Sequence, residues 1–364
     1  MAFEESGTLT MAIRRLALTV SRYSGAQRLF RLWSRGPTVL FYHGIEENIL
    51  DREVQALHLS LRAFERQIAF VRCNREVVSM DYLYECIASG RGLDPRQVIL
   101  TFDDGYKNNL RVVAPLLNAW KLPFTIFVSS RHISEGCRFP NYYIRAAILY
   151  TQSESIHLRS IRQTFPLTTR TKRSAALATI IAAVKKAPQH VVDEVILECR
   201  EQLSRAQWED LDADFFSEEP MSWQDVRRVS EMGATIGSHC HDHCILHSNQ
   251  NEEEVCRQLN QSKSTIEKNV AACRYMAYPN GTVADVSSVG YAAAKSAGFR
   301  IAFTSVPGEI TRDVDRFFAP RIFATADFEE FCYLLNRTSL QNQVYTMARL
   351  QGGASGNQAT IEPN

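Results

Sequence analysis

The fold is decided by the stretch Val98-Ile-Leu-Thr-Phe-Asp-Asp-Gly-Tyr106. Here an apolar run typical of a β-strand ends in two adjacent carboxylates and a glycine, and a helical pattern follows. In parallel α/β folds, the carboxyl ends of the strands form the face that carries the chemistry. Asp103 and Asp104 are therefore the first candidate functional residues.

The two aspartates are expected to have separate tasks. Adjacent residues of an extended chain point in opposite directions unless the strand has already turned. One carboxylate could then bind a metal ion while its neighbour faces a reacting water. Acidic residues at the start of a helix also commonly cap it, and this second interpretation applies to both aspartates.

Outward from this stretch, short apolar strands alternate with helical patterns. We predict strands over residues 38–43, 98–102, 124–129, 234–238, 274–278 and 301–305, with helices over 107–120, 251–272 and 286–297. Ser222 and Asp225 form a capping box at the start of another helix. This alternation predicts an α/β fold with a mainly parallel sheet or barrel. Residues from about 140 to 220 interrupt this alternation of strands and helices with polar and helical sequence, which indicates an inserted helical lobe.

A second candidate site follows the strand predicted at 234–238. The run Ile236-Gly-Ser-His-Cys-His-Asp-His-Cys244 holds three of the nine histidines. If the segment turns into a helix, the spacing of His239 and His243 puts both rings on one face, where they can share a metal ion. His241 competes less well because its offset turns it away. Further candidate ligands in the run are Cys240, Asp242 and Cys244. Histidines that are merely hydrogen-bonded near a surface turn are the alternative.

The composition is that of an ordinary globular protein of 364 residues, with 45% hydrophobic and 22% charged residues. This excludes intrinsic disorder and fibrous repeats for the bulk of the chain. The net charge of +1 gives no general reason to expect a nucleic-acid partner. The nine cysteines are odd in number and no secretory leader is recognised, so we predict reduced thiols in a cytoplasmic compartment.

Residues 1–35 form a basic segment. No acidic residue occurs between positions 6 and 45, whereas six arginines do, at positions 14, 15, 22, 28, 31 and 35. Apolar residues at positions 13, 16, 17 and 20 follow helical spacing. An amphipathic helix lying on an anionic membrane surface is one interpretation. A helix that packs its apolar stripe on the main domain, or an organellar transit peptide, would have a similar composition.

Four motifs follow one another along the chain. They are Phe41-Tyr-His-Gly-Ile45, Thr101-Phe-Asp-Asp-Gly105, Ser238-His-Cys-His-Asp-His243 and Met276-Ala-Tyr-Pro-Asn-Gly281. In content and order they resemble the motifs of the NodB-like polysaccharide deacetylases, also called carbohydrate esterase family 4. The resemblance implies a deacetylase domain over 36–330, with the insertion inside it. A C-terminal helix and a flexible tail are expected over 331–364.

The resemblance implies a distorted (β/α) barrel of the NodB-like deacetylase type with a helical insertion. It also implies a divalent metal ion, usually zinc, bound by Asp104, His239 and His243, with Asp103 as the general base. Such an open three-ligand site leaves coordination positions for water and a substrate carbonyl. Four residues in or directly after these motifs are expected to contact the substrate: Tyr106, Tyr278, Pro279 and Asn280.

Two departures from the family pattern concern the groups around the base. Many members carry an arginine just before the turn of the last motif, and this arginine orients the base. Ala277 occupies that position here. Whether Arg274, three residues upstream, takes the role of the family's arginine is left open. The family's late histidine, a general acid, is missing because no histidine follows His247. His43 ends the strand predicted at 38–43, so we predict that it emerges at the same face as Asp103 and acts as the catalytic acid or a substrate-positioning donor. A structural role for His43, with water or the base as acid, is the alternative.

These observations predict a metal-dependent deacetylase that hydrolyses the N-acetyl or another N-acyl group of an amino sugar. The substrate class, a cell-surface polysaccharide or its lipid-linked precursor, is taken from the resemblance. The basic N-terminus and the cysteine usage favour a precursor handled at the cytoplasmic face of the inner membrane, with peripheral contact to anionic lipid. A catalytically silent sugar- or lipid-headgroup-binding protein is the alternative, although Asp103 argues against it. A hydrolase of small non-sugar amides is a third interpretation.

Overall fold

The computed structural model describes residues 16–24, 34–270 and 272–336 and shows an α/β fold. The strands in these residues are β1 (Thr38–Tyr42), β2 (Ile45–Glu46), β3 (Leu59–Ser60), β4 (Glu76–Val77), β5 (Gln97–Phe102), β6 (Phe124–Val128), β7 (Ser155–Leu158), β8 (Gln163–Pro166), β9 (Ala234–Ser238), β10 (Tyr275–Ala277), β11 (Ile301–Phe303) and β12 (Ile322–Phe323).

The helices after residue 34 are α1 (Leu61–Asn74), α2 (Met80–Ser89), α3 (Ala114–Ala119), α4 (Ser130–Glu135), α5 (Pro140–Tyr150), α6 (Arg170–Val184), α7 (Gln189–Arg200), α8 (Arg205–Asp214), α9 (Trp223–Glu231), α10 (Glu252–Asn269), α11 (Ser288–Ser296) and α12 (Phe328–Asn336). A π-helical turn, Asn109–Val113, precedes α3, and residues 16–23 are also helical. No helix in the described part of the chain has the length and apolar character needed to cross a membrane.

Eight strands form the main sheet, in the order β11-β10-β9-β6-β5-β1-β12, with β4 beside β5. Every pairing in this sheet is parallel. The segment before and through β12 bridges the two edges of the sheet: Ala319 pairs with Phe303 of β11, and Ile322 pairs with Leu40 of β1. The sheet therefore curls into a distorted (β/α) barrel, which confirms the predicted fold class.

The central strands are buried on both faces, which explains their continuous apolar sequences. In β5, Leu100 and Phe102 belong to a cluster shared with the surrounding helices, whereas Ile99 belongs to a second cluster shared with other strands, including Phe303 of β11. Because side chains alternate along a strand, this inner face continues through Thr101 to the residue after the strand, Asp103. The carboxylate of Asp103 accordingly points into the barrel.

An inserted lobe, defined here as residues 140–218, separates β6 from β9. It holds α5 to α8 and the antiparallel hairpin β7–β8, which the helical pattern did not predict, and it has a hydrophobic cluster of its own. Arg170 on α6 joins the lobe to the loop after β2, with N–O distances of 2.9 Å to Asp51 and 2.6 Å to Glu53. The lobe is thereby held beside the carboxyl end of β1.

The predicted strands agree with the structure to within about two residues, and 234–238 agrees at both ends. The predicted capping box is present, since Ser222 Oγ accepts a hydrogen bond from Asp225 N at 3.2 Å and Asp225 Oδ2 accepts one from Ser222 N at 2.9 Å. The helix predicted over 107–120 is present over residues 107–119, where the π-helical turn interrupts the α-helical geometry before α3. Helices α1 and α2 were not predicted, although Phe64, Ile68 and Val71 of α1 have helical spacing and are buried.

Candidate active site

Three side chains form a candidate metal site where β5 and β9 end. Asp104, His239 and His243 each offer a ligand atom, and these atoms lie within 4.8 Å of one another. The Nε2 atoms of His239 and His243 are 3.5 and 3.2 Å from Asp104 Oδ1. That oxygen is buried and has no hydrogen-bond partner among the described residues. One carboxylate and two imidazoles thus converge on one point and form a ligand set that could hold a divalent cation.

A tight turn after β5 separates the two aspartates. Asp104 and Gly105 both have a left-handed backbone, with φ values of 75° and 85°. A Cβ at position 105 would lie 2.9 Å from Val128 Cγ1, so the close approach to β6 requires glycine. The turn brings Asp104 to the histidines while Asp103 stays on the inner face of the sheet. Helix capping does not explain either carboxylate, because the following helical segment begins only at residue 107 and both carboxylates make their contacts elsewhere.

His239 is held in the orientation and protonation state that a metal ligand needs. Its Nδ1 lies 2.7 Å from the carbonyl oxygen of Ala277 and donates to it, which leaves the Nε2 lone pair directed toward Asp104. Burial lowers the pKa of His239 to about 4, so the ring is neutral at physiological pH. For Asp104, burial alone would raise the carboxyl pKa, but contact with His243 outweighs it and holds the pKa well below its ordinary value.

The histidines do not share a helix, as the four-residue spacing suggested. Residues 239–243 form an irregular turn in which Cys240 and His243 have left-handed backbones, with φ values of 62° and 55°. His241 points away from the cluster, with Nδ1 at 2.7 Å from Ser130 Oγ. Asp242 accepts hydrogen bonds from two side chains of α10, Arg257 Nη2 at 2.6 Å and Gln258 Nε2 at 2.7 Å. The two cysteines of the run are buried and lie outside the ligand cluster found in the described residues.

Asp103 is bound by an arginine that lies outside all four sequence motifs. Arg321 donates from Nη1 to Asp103 Oδ1 at 2.7 Å and from Nη2 to Oδ2 at 2.8 Å. Both side chains are almost completely buried, and Arg321 Nε also donates to the carbonyl oxygen of Thr304 at 3.0 Å. Burial alone would raise the pKa of Asp103, but the charge of Arg321 outweighs this effect and lowers the pKa below its ordinary value. Asp103 is therefore an ionised carboxylate in a fixed orientation.

Arg274 does not take this role. Its Nη1 lies 3.3 Å from Asp81 Oδ1, and both side chains are well exposed. Arg321 instead comes from the segment that bridges β11 and β1, where it is a single basic residue in Ala319-Pro-Arg-Ile-Phe323. The one signal for it is a single charge in an otherwise apolar stretch, because such a charge is buried only when it has a partner.

A cavity of about 380 Å³ opens above these groups. Asp103, His239, His243 and Arg321 contribute to its wall, together with His43. The inserted lobe forms part of the opposite wall through Pro140, Asn141, Val184, Lys185, Gln189 and Val192. The lobe thus gives the cavity a depth that the strand ends alone would not provide.

Two of the four predicted substrate-binding residues line this cavity. Tyr278 does so with its hydroxyl group donating to the carbonyl oxygen of Phe317 at 3.0 Å, and Asn280 lies beside it. Tyr106 is buried, with ring centroids 4.8 Å from His58 and 5.2 Å from Phe139. Tyr106 and Pro279 are absent from the cavity wall formed by the described residues.

His43 lies in the cavity wall with Asp103, as the strand pattern predicted. Its Nδ1 atom is buried and has no hydrogen-bond partner among the described residues. Burial lowers the pKa of His43 below 6.5, although the nearby charges of Asp104 and Asp103 act in the opposite direction. The ring is therefore mostly neutral at physiological pH.

Residues 90–302 match the sequence pattern of the family described as Polysaccharide deacetylase. Over 89 residues the chain is 32% identical to the poly-beta-1,6-N-acetyl-D-glucosamine N-deacetylase of Escherichia coli (strain K12). That match spans 24% of this chain and only 13% of the relative. The family match includes Asp103, Asp104, His239 and His243, and it ends before Arg321.

Two solved structures have a similar fold. The Streptococcus pyogenes deacetylase PplD in complex with acetate superposes with a TM-score of 0.53 at 14% identity, over 83% of this chain and 97% of that chain. IcaB from Ammonifex degensii gives a TM-score of 0.53 at 16% identity, with the same coverage of 83% and 97%. At such low identities the comparison shows a shared fold and nothing finer.

Proposed function

Because this chain belongs to the polysaccharide deacetylase family, we propose that it is a metal-dependent hydrolase that removes an N-acetyl or other N-acyl group from an amino sugar. The proposed substrate is a cell-surface polysaccharide or its lipid-linked precursor. One observation carries this proposal: Asp103, oriented by the buried Arg321, lies beside the Asp104–His239–His243 cluster in one cavity. A protein that only binds sugar has no need of a second, oriented carboxylate next to a metal site.

The residues present fit a divalent metal ion such as zinc. Asp104, His239 and His243 would hold it, since one carboxylate and two neutral imidazoles are typical ligands of an open catalytic zinc site. The unpartnered Oδ1 of Asp104 and the inward lone pair of His239 Nε2 support this assignment. When bound there, such a metal would polarise the acyl carbonyl and increase the acidity of water.

Asp103 is the proposed general base. Each of its oxygens accepts one hydrogen bond from Arg321, and because a carboxylate oxygen has two lone pairs, each keeps one for a water molecule. The lowered pKa keeps Asp103 ionised, so it can receive the proton of the water that attacks the acyl carbon. Arg321 fixes the plane of the carboxylate and stabilises its charge, and it acts on the reaction only through this orientation.

The direct test is the release of acetate from a panel of N-acetylated substrates. Neutral N-acetylglucosamine oligomers, sugar nucleotides and lipid-linked amino sugars should be compared with small non-sugar amides, using metal-supplemented protein. We expect acetate release from at least one amino-sugar substrate. Binding of these sugars without any acetate release would instead support the silent sugar-binding alternative.

His43 is the proposed acid that protonates the leaving amine. Only protonated His43 can donate, and its pKa lies below 6.5, so turnover should fall as the pH rises through that lower value. His43→Gln keeps hydrogen-bonding capacity but has no titrating proton. We expect this variant to lose about 100-fold in kcat and to lack this descending limb of the pH–rate profile, with metal still bound.

The control for this prediction is His157→Gln, which changes an exposed histidine of the β7–β8 hairpin and should leave the profile unaltered. Wild-type rates and an unchanged profile in His43→Gln would assign a purely structural role to His43. Protonation of the amine by water or by Asp103 would then be the remaining routes.

Peripheral binding to an anionic membrane is a further part of this proposal, with the cytoplasmic face of the inner membrane as the location. It is supported by the helix over residues 16–23. Leu16, Val20 and Tyr23 lie on one face of this helix and are 64%, 58% and 76% exposed. On another face, Arg22 Nε contacts Glu329 Oε2 of α12 at 2.7 Å. The apolar stripe predicted to start at position 13 is therefore directed away from the barrel in its described part. Residues 1–15 and 25–33, with four of the arginines, lie outside the described residues.

We expect the protein to sediment with vesicles that contain phosphatidylglycerol and to release them as salt is raised, because each basic residue near an anionic surface contributes about 1 kcal/mol. Leu16→Ser combined with Val20→Ser should weaken this binding at least tenfold, since both side chains lose their apolar contact with lipid. Leu197→Ser, which changes a side chain on α7 that is 59% exposed, is the matched control. If the double variant, or protein lacking residues 11–35, sediments with vesicles to the same extent as the wild type, this segment does not bind the membrane.

A further inference from the structure

A lysine of the inserted lobe reaches the active-site cavity. Lys185 directly follows α6, is half-buried, and lines the same cavity as His43, Asp103 and His239. It is part of the lobe and not of the barrel, so it belongs to none of the motifs described above. The proposed hydrolysis of an acyl group assigns it no task.

The position of the Lys185 ammonium group is fixed by a short chain of hydrogen bonds. Lys185 Nζ donates to Asn280 Oδ1 at 2.8 Å, and Asn280 Nδ2 donates to Asp285 Oδ2 at 2.6 Å. Because an ionised carboxylate can only accept, Asp285 determines which way the Asn280 amide is turned and presents its oxygen to the lysine. An ammonium group has three N–H donors, and the bond to Asn280 occupies one of them.

The positive charge of Lys185 has no carboxylate in contact with it in the described part of the chain. The carboxylate of Asp285 already accepts hydrogen bonds from Asn280 Nδ2 and from the backbone and hydroxyl group of Thr282. Burial lowers the pKa of Lys185, and the more distant Asp285 acts in the opposite direction without cancelling this effect. The other charged groups at this site already have partners. Arg321 forms an ion pair with Asp103, and Asp104 lies with the two histidines in the candidate metal cluster.

We propose that Lys185 binds an anionic group of the substrate, so that the N-acylated sugar carries a phosphate or a carboxylate close to the acyl group. This inference rests on the proposed function, and it narrows the substrate class. A partly desolvated ammonium group with free N–H donors gains most from a ligand that supplies the missing negative charge. In a lipid-linked precursor the anion would be a phosphate on the same sugar, and in an acidic polysaccharide it would be the carboxylate of a neighbouring uronic acid.

Three substrates of defined charge distinguish a phosphate on the reacting sugar from a carboxylate on a neighbouring sugar. N-Acetylglucosamine 1-phosphate carries a phosphate on the reacting sugar, a disaccharide of N-acetylglucosamine and glucuronic acid carries a neighbouring carboxylate, and an N-acetylglucosamine oligomer is neutral. The metal-loaded full chain should be compared with Lys185→Met, which keeps most of the aliphatic stem and loses the charge. Lys186→Met is the matched control, because Lys186 is the adjacent residue and is exposed.

We expect Lys185→Met to raise KM about 10- to 100-fold for whichever anionic substrate is the better one, with little change in kcat. The neutral oligomer should be hydrolysed by Lys185→Met and by the wild type with similar constants. Lys186→Met should match the wild type on all three substrates. Lys185→Arg, which keeps the charge, should retain a preference for the anionic substrate.

A purely structural role of Lys185, as a link between the lobe and Asn280, predicts a different result. Lys185→Met would then impair all three substrates alike, and this outcome would overturn the inference. Calorimetric binding of N-acetylglucosamine 1-phosphate and of the acidic disaccharide provides a readout independent of turnover. The inference fails, even where deacetylation is observed, if Lys185→Met binds the two anionic compounds as well as the wild type does. It also fails if neither protein binds either compound. If no substrate releases acetate but Lys185→Met weakens anion binding, the proposed activity fails and the anion site stands.

Discussion

Replacement of both His239 and His243 by alanine should abolish metal binding and, with it, all turnover. The double variant keeps one ligand of the cluster, Asp104, and a single carboxylate does not retain a divalent metal in a catalytic site. Metal analysis of the purified wild-type protein should give about one equivalent per chain, as expected for one three-ligand site. The double variant should give none, and its rate of acetate release should not exceed that of the metal-stripped wild type.

The turn that carries these histidines provides an internal control. His241 lies between the two ligands in sequence but binds Ser130 Oγ at 2.7 Å. His241→Ala should therefore keep its metal and most of its activity. Full metal occupancy in the His239 and His243 double variant would show that the ion binds elsewhere.

Asp103→Asn should reduce kcat by about two to four orders of magnitude while the metal content stays close to that of the wild type. The amide can still accept a hydrogen bond from Arg321, but it cannot take a proton from water, and loss of a general base typically costs this much. Single-turnover rates and metal content should be measured on the same preparation. A variant that lost its metal would show that Asp103 is a ligand, and undiminished turnover would require another base.

The same substitution also affects stability, which must be separated from the loss of catalysis. Asp103 and Arg321 form a buried ion pair, and removal of one charge from such a pair costs about 3–5 kcal/mol. Asp103→Asn should accordingly unfold at a lower temperature, so activity must be compared well below that midpoint. Glu209→Gln is a suitable control, because Glu209 forms an exposed pair with Arg205 on α8 and its loss should change neither kcat nor the unfolding temperature appreciably.

The sequence predicted those features of the fold and the site that depend on local pattern. Buried parallel strands appear as apolar runs, and polar residues directly after such runs lie at the functional edge of the sheet. This reasoning located Asp103, Asp104, His239 and His43 at the ends of three strands, and the structure places all four at that edge. It could not predict the turn at 239–243. This turn depends on a left-handed backbone at Cys240 and His243, and residue types other than glycine do not indicate such a backbone in a sequence.

The missed residues are those placed by contacts between distant parts of the chain. Arg321 and Asp103 are 218 residues apart in sequence. The strand β12 that follows Arg321 has only two residues, too few to show the alternation of side chains that identifies a strand. Lys185 reaches the cavity only because the whole lobe folds back over the strand ends. No spacing rule connects either residue to the motifs, so their roles become visible only when the barrel is assembled.

The bridge between β11 and β1 also determines when the proposed catalytic site can form during synthesis of the chain. β1 precedes β12 by more than two hundred residues in the sequence, so its pairing with β12 must wait until residue 322 has been synthesised. Until then Arg321 cannot pair with the carboxylate of Asp103, and the pairing of β1 with β12 joins segments that are far apart in sequence, which makes this step of folding slow. A nascent or clipped chain that stops before Ala319 would contain the base and all three ligands, but neither a closed barrel nor an oriented base. We therefore expect chains that stop before residue 319 to release no acetate, even though they contain every residue of the proposed metal site.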